Sequence, residues 1–286
     1  MSVVLGHNSY GKSETRLLRV TRYADRHEIR DLNVSVALSG DFEDVHLRGD
    51  NANVLPTDTQ RNTVYCFAKV APIGEIEEFA LRLARHFVKT LKPVRQARVH
   101  IEEYPWSRVD MDDAPHPHSF VRCSEERRLT TATCGPADES VLSGLAGLVL
   151  LKSGGSEFRG FARDQYTTLD DTPDRILATA VTAHWRFSSL QSPWADSFRD
   201  ARRALLGAFA QHHSLSLQQT LFQMATAVLE ARPEIDEVRL EMPNKHHFAV
   251  DLTPFGMTND NEVFYAADRP YGLIEATVRR GGPEES

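Results

Sequence analysis

Residues 73–104, IGEIEEFALRLARHFVKTLKPVRQARVHIEEY, change their hydrophobic period once, and that change decides the fold class. Ile76, Phe79, Ala80, Leu83, Phe87 and Leu91 recur every three or four residues, which draws one apolar stripe along a helix over residues 73–91. Pro93 has no N–H to give the helical ladder and ends the helix. Beyond it Ala97, Val99 and Ile101 alternate with polar residues, the pattern of a strand over residues 95–104 that buries a single face. A one-sided helix beside a one-sided strand buries both stripes when the helix lies across an antiparallel sheet.

Toward the N-terminus, NVSVAL (residues 33–38) alternates through Val34, Val36 and Leu38, and TVYCFAKV (residues 63–70) reads as a second strand. The first half is expected to run strand, strand, helix, strand. Toward the C-terminus the order recurs, with strands at residues 147–152 and 178–187 followed by two helices. Ser192 and Pro193 form an N-cap and first-turn pair ahead of a stripe through Trp194, Phe198, Ala201 and Leu205. The second helix starts after Ser216 and buries Leu217, Leu221, Met224 and Val228. Pro233 closes it before the strand VRLEM, and a last strand runs through GLIEATVRR. This is an α+β chain of two successive units with antiparallel sheets and helices on one face. The Thr-, Gly-, Pro- and Asp-rich residues 129–140 mark the join, giving units at 1–138 and 139–286.

Composition narrows the function classes. The chain has 286 residues, 41% hydrophobic and 26% charged, the balance of a globular protein and not of a disordered one. Its net charge is -7 with basic residues scattered among acids, so no nucleic-acid partner is expected. The longest apolar run, LAGLVLL at residues 145–151, is too short to span a bilayer. The start MSVVLGHNSYGK lacks a basic leader with an apolar run, and the ending GGPEES is not a Ser-Lys-Leu address, so a cytoplasmic location is expected. Cys66, Cys123 and Cys134 are odd in number and match neither a disulfide framework nor a paired-cysteine zinc site, which makes them reduced thiols. The glycine signatures of nucleotide-binding loops are missing as well.

Four separated segments concentrate polar and aromatic residues that neither a core nor a turn requires. They are SYGKSETR around Lys12, PTDTQRNTVY around Thr57, FRGFARDQYTTLDDTPDRIL from Phe158, and MPNKHHF around His246. In this order, together with HPHSFVR, SGLAGLVLLKSG, SLQQT and NEVFYA, the chain resembles the urate oxidase (uricase) family over nearly its whole length. The resemblance implies tandem T-fold units that assemble as a homotetramer into a tunnel-shaped barrel. It also implies active sites between subunits, urate and dioxygen as substrates, and no cofactor or metal.

The same resemblance assigns roles residue by residue. Lys12, Thr57 and His246 would form a proton relay, for which an ammonium, a hydroxyl that donates and accepts, and an imidazole are apt groups. Thr57 and Asp58 would also contact urate through their peptide. Phe158 would stack on the flat purine, and Arg175 would clamp its carbonyl edge and negative charge with a planar fork. Gln218 would pair with the opposite ring edge, Leu217 would offer its backbone N–H, and Asn244 would hold dioxygen or water above the ring. Several of these residues also have a plainer reading on their own: a solvated Lys12, a Pro-Thr-Asp turn, a core Phe158, an Arg175 ion pair with Asp171 or Asp174, and a structural His246. Two rival functions remain open. One is a metal-dependent purine or pterin T-fold enzyme using His116, His118, His246 and His247; the other is a non-catalytic purine-binding protein.

Overall fold

The fold is a computed structural model that describes residues 2–112, 114–136 and 138–281. The GGPEES ending lies outside the described residues apart from Gly281. Two compact units result, one of Met1–Gly144 with Ser189–Ala195 and one of Leu145–Ser188 with Asp196–Ser286.

In the first unit, strands β1 (Tyr10–Arg22), β2 (His27–Gly40), β3 (Val94–Tyr104) and β6 (Arg127–Cys134) pair antiparallel in that spatial order. A short hairpin of β4 (Trp106–Arg108) and β5 (Phe120–Arg122) forms a separate two-stranded sheet. Helices α2 (Thr57–Val70) and α3 (Ile76–Thr90) pack on the sheet, and α1 (Glu43–Arg48) precedes them. The expected stripe and strand are present nearly as drawn, because Ile76, Phe79, Ala80, Leu83 and Phe87 are wholly buried over Ala97, Val99 and Ile101. Strand β7 (Glu139–Lys152) follows a turn in which the Gly135 N–H donates to the Asp138 carbonyl at 2.8 Å, and the division between the units falls within it.

The second unit orders β8 (Leu177–Phe187), β9 (Ile235–Ala249) and β10 (Phe264–Arg279) side by side and antiparallel. Helices α4 (Trp194–Gln211) and α5 (Leu217–Ala231) run between β8 and β9, with α5 packed on β9 and β10. Ser216 is the N-cap of α5, its hydroxyl accepting the Gln219 N–H at 3.1 Å.

Three expectations need correction. Residues 63–70 are not a strand but the second half of α2, whose buried positions are Gln60, Val64 and Ala68 at a spacing of four. Tyr65 and Val70 are exposed there, so the apparent alternation never met a sheet. The first strand of the chain is β1, which the apolar pattern missed. Helix α4 begins at Trp194 rather than at Pro193, and the Ser192 hydroxyl donates to the Ser189 carbonyl in the preceding turn. Of the stretch expected to join the two units, residues 129–134 belong to β6 and residues 139–140 to β7.

Two buried polar features tie the first unit together. Glu77, with no exposed surface, accepts from Ser143 Oγ at 2.6 Å and from Arg128 at 2.8 Å, and Arg128 also meets Glu75 at 2.7 Å. Cys134 is buried, and that burial, with the Glu139 carboxylate beside it, pushes its thiol pKa up to about 12.

Candidate active site

The residues singled out above fall into two groups, one in each unit. The first group opens β1. Tyr10 sets its ring edge-on to Phe42 at 4.8 Å, and its hydroxyl accepts the Leu55 N–H at 2.9 Å. Burial raises its phenol pKa, against the opposing pull of the Leu55 hydrogen bond. At Gly11 a Cβ would lie 1.8 Å from the Val36 carbonyl oxygen, so no larger residue fits. Lys12 then reaches α2, with Nζ 3.3 Å from Asp58 Oδ1 and the side chain 32% exposed. Thr57 is the first residue of α2, after Pro56, which supplies no side-chain cap. The helix's own hydrogen bonds begin only with the Gln60 N–H to the Pro56 carbonyl at 3.2 Å, so the earlier amides lack helical acceptors. The Pro-Thr-Asp stretch is therefore a helix start, and its Asp58 carboxylate meets the Lys12 ammonium.

The second group is gathered around the backbone of Ser156. Its carbonyl accepts the Arg175 N–H at 2.7 Å, its N–H donates to Asp174 at 3.2 Å, and it bridges Ser214 just ahead of α5. The Glu157 N–H donates to the Ser214 carbonyl at 2.8 Å, and Phe158 pairs with Thr172 through bonds of 2.9 and 3.0 Å. The loop bearing Phe158, Arg175 two residues ahead of β8, and the first turn of α5 with Leu217 and Gln218 are thereby stitched to one another. Ser216 caps only the Gln219 N–H, which leaves the N–H groups of Leu217 and Gln218 without a helical acceptor. On β9, Asn244 stands opposite Thr179 of β8, and His246 follows two residues on.

Charge sets the character of this second group. Arg175 lies over the Phe158 ring at 5.1 Å, burial lowers its pKa, and its Nε is buried with no hydrogen-bond partner among the described residues. The ion pair with Asp171 or Asp174 does not form: Asp174 bonds the Ser156 N–H, and Asp171 meets Gly160 N–H and Arg163. A half-buried guanidinium without a carboxylate is a standing demand for an anion. The pKa of His246 is lowered by burial, then by the charge of Arg175, then by His247, which favours a neutral imidazole able to accept a proton.

Burial also lowers the pKa of His86 and His100. A histidine with a depressed folded-state pKa takes up a proton more readily when unfolded. Its contribution is therefore complete above the ordinary histidine value of about 6.5 and is lost as pH falls below it. The melting temperature should be level from about pH 8 to about pH 6.5 and fall toward about pH 5, before the carboxylates titrate. A His100→Gln variant should show a shallower fall; equal slopes would refute the assignment.

Several supporting residues escaped sequence reasoning. Phe161 stacks on Phe158 at 5.0 Å and 9°, Tyr10 and Gly11 place Lys12, and Ser156 works through its main chain. Phe161 and Tyr10 stood inside the quoted motifs as aromatics with no stated task, whereas a main-chain role leaves no side-chain signature. Among the described residues no three His, Cys, Asp or Glu side chains gather as a metal-holding group, and His116 and His118 instead pack ring to ring at 4.5 Å. No helix among them is long and apolar enough to cross a membrane.

The family described as Uricase matches residues 8–133 and 141–275 of the chain. The uricase of Arthrobacter globiformis is 51% identical over 280 residues, spanning 98% of this chain and 91% of that protein. The uricase of Danio rerio is 35% identical, spanning 95% of this chain and 93% of its own length. The crystal structure of the Arthrobacter globiformis uricase superposes with a TM-score of 0.95, covering 100% of this chain and 98% of that one. With a family match across most of its length and relatives of this identity, the chain belongs to the uricase family.

Proposed function

We propose that the protein is a urate oxidase, converting urate, dioxygen and water into 5-hydroxyisourate and hydrogen peroxide in purine breakdown. The observation that carries this reading is Arg175: a half-buried guanidinium with no carboxylate partner among the described residues, stacked over Phe158 and depressing the pKa of His246. A flat anion with alternating N–H and C=O groups satisfies that guanidinium, covers the ring, and meets the amides of Leu217 and Gln218 and the Gln218 side chain. Asn244 holds dioxygen or water over the purine face.

In this reading the relay of Lys12, Thr57 and His246 takes a proton from bound urate, leaving an electron-rich anion. That anion passes one electron to dioxygen, and the two radicals recombine at C5 as a hydroperoxide. Loss of hydrogen peroxide and addition of a water, deprotonated by the relay, give 5-hydroxyisourate. The clamp stabilises charge throughout, and neither metal nor flavin takes part. Lys12, Thr57 and Asp58 of one protomer complete the site with Phe158, Arg175 and His246 of another, so a homotetramer with intersubunit sites, built from tandem T-fold units 1–138 and 139–286 in a tunnel-shaped barrel, is part of the proposal. A cytoplasmic location belongs to it too.

The test is incubation with urate after exhaustive chelation, with and without dioxygen. Loss of urate absorbance with stoichiometric peroxide in air alone is expected. Loss without dioxygen, or abolition by chelation, favours the metal-dependent rival. No loss in air leaves a binding protein.

A further inference from the structure

Lys12 reaches Asp58 only because β1 carries one residue too many. In the antiparallel pair β1–β2, Lys12 stands opposite Val36 and Thr15 opposite Val34, so Ser13 and Glu14 face Ser35 alone. That two-against-one arrangement is a β-bulge. Directly opposed residues project from the same face. Val34, Val36 and Thr15 are buried on the face that carries the helices, and Lys12, opposite Val36, joins them. In a regular strand, residues three apart point to opposite faces, so Lys12 and Thr15 would part company. The extra residue cancels that half-turn and delivers the ammonium to the side of Thr57 and Asp58.

The bulge needs support of its own. Glu14 adopts a left-handed backbone with φ 56°, which side chains other than glycine disfavour. Its N–H, displaced from the ladder, donates to Ser35 Oγ at 2.9 Å. The hydroxyl of the residue facing the bulge thus supplies the acceptor that the neighbouring strand's main chain does not.

We propose that Ser35 is a positioning residue for the reaction: its hydroxyl pins the Ser13–Glu14 bulge and so keeps Lys12 on the face of Thr57. The inference rests on the urate oxidase reading of Lys12. Ser35→Ala should lower kcat about five- to tenfold while KM for urate stays within about twofold, because urate is bound by other residues and only the ammonium is displaced. Ser35→Thr should restore kcat. Glu14→Gly in the Ser35→Ala background should restore much of it, since glycine holds the left-handed conformation unaided. These measurements belong on the full-length protein, beside Lys12→Met. If Ser35→Ala turns over as the parent does while Lys12→Met is inactive, the positioning role fails and the relay reading stands. A loss that neither Ser35→Thr nor Glu14→Gly repairs also overturns it. Full activity in Lys12→Met removes the relay reading and this inference together.

Discussion

Replacing Lys12 by methionine is expected to lower kcat for urate oxidation by about 10²- to 10⁴-fold, the range in which positioned proton transfer operates. Methionine keeps much of the side chain's length and apolar stem but can neither hold nor deliver a proton. Urate affinity, carried in the proposal by Arg175, Phe158 and Gln218, should change by no more than about threefold, so the loss falls on the chemical step. Thr57→Val should act in the same direction, because it removes a hydroxyl that both donates and accepts. Lys12→Met combined with Thr57→Val should be little worse than the poorer single variant, since members of one relay act as a unit. Steady-state kinetics with separate binding of a non-oxidisable urate analogue checks this. Multiplicative losses in the double variant would mean that the two residues do not share a proton path.

The second large effect concerns stability. Glu77→Ala should destabilise the protein by about 3–5 kcal/mol, as loss of one partner from a buried ion pair commonly does. Ser143 Oγ and Arg128 both donate to Glu77, so its removal strands a hydroxyl and takes one carboxylate from the Arg128 guanidinium beneath α3. Glu75 still meets Arg128 at 2.7 Å, which bounds the damage. Glu77→Gln, which keeps an acceptor for Ser143, should cost less. Urea titration at fixed protein concentration gives both values, and a wild-type midpoint for Glu77→Ala would show that the network adds nothing.

What the sequence disclosed followed from how strictly each segment kept its period. Helix α3 and strand β3 were legible because Ile76, Phe79, Leu83 and Phe87 on one, and Ala97, Val99 and Ile101 on the other, bury without exception. Helix α2 was misread because its buried row includes Gln60, invisible to an apolar pattern, while Val64, Tyr65 and Phe67 are strand formers. Strand β1 was missed because the bulge at Ser13 and Glu14 breaks its alternation and many of its residues are half-exposed. For the site, periodicity offered nothing; family resemblance supplied Lys12, Thr57, Phe158, Arg175 and His246. The unpaired state of Arg175 is a property of three dimensions, since Asp171 and Asp174 sit close in sequence yet are engaged elsewhere.

The raised thiol of Cys134 has a practical corollary. Alkylating and disulfide-forming reagents attack the thiolate, and a sulfhydryl with a pKa of about 12 supplies almost none at neutrality. Cys66 and Cys123 are exposed, so a fluorophore or surface tether added under gentle conditions is directed to them, on α2 and beside the β4–β5 hairpin. Reporter chemistry can thus be installed on the native protein with no need to engineer away the third sulfur.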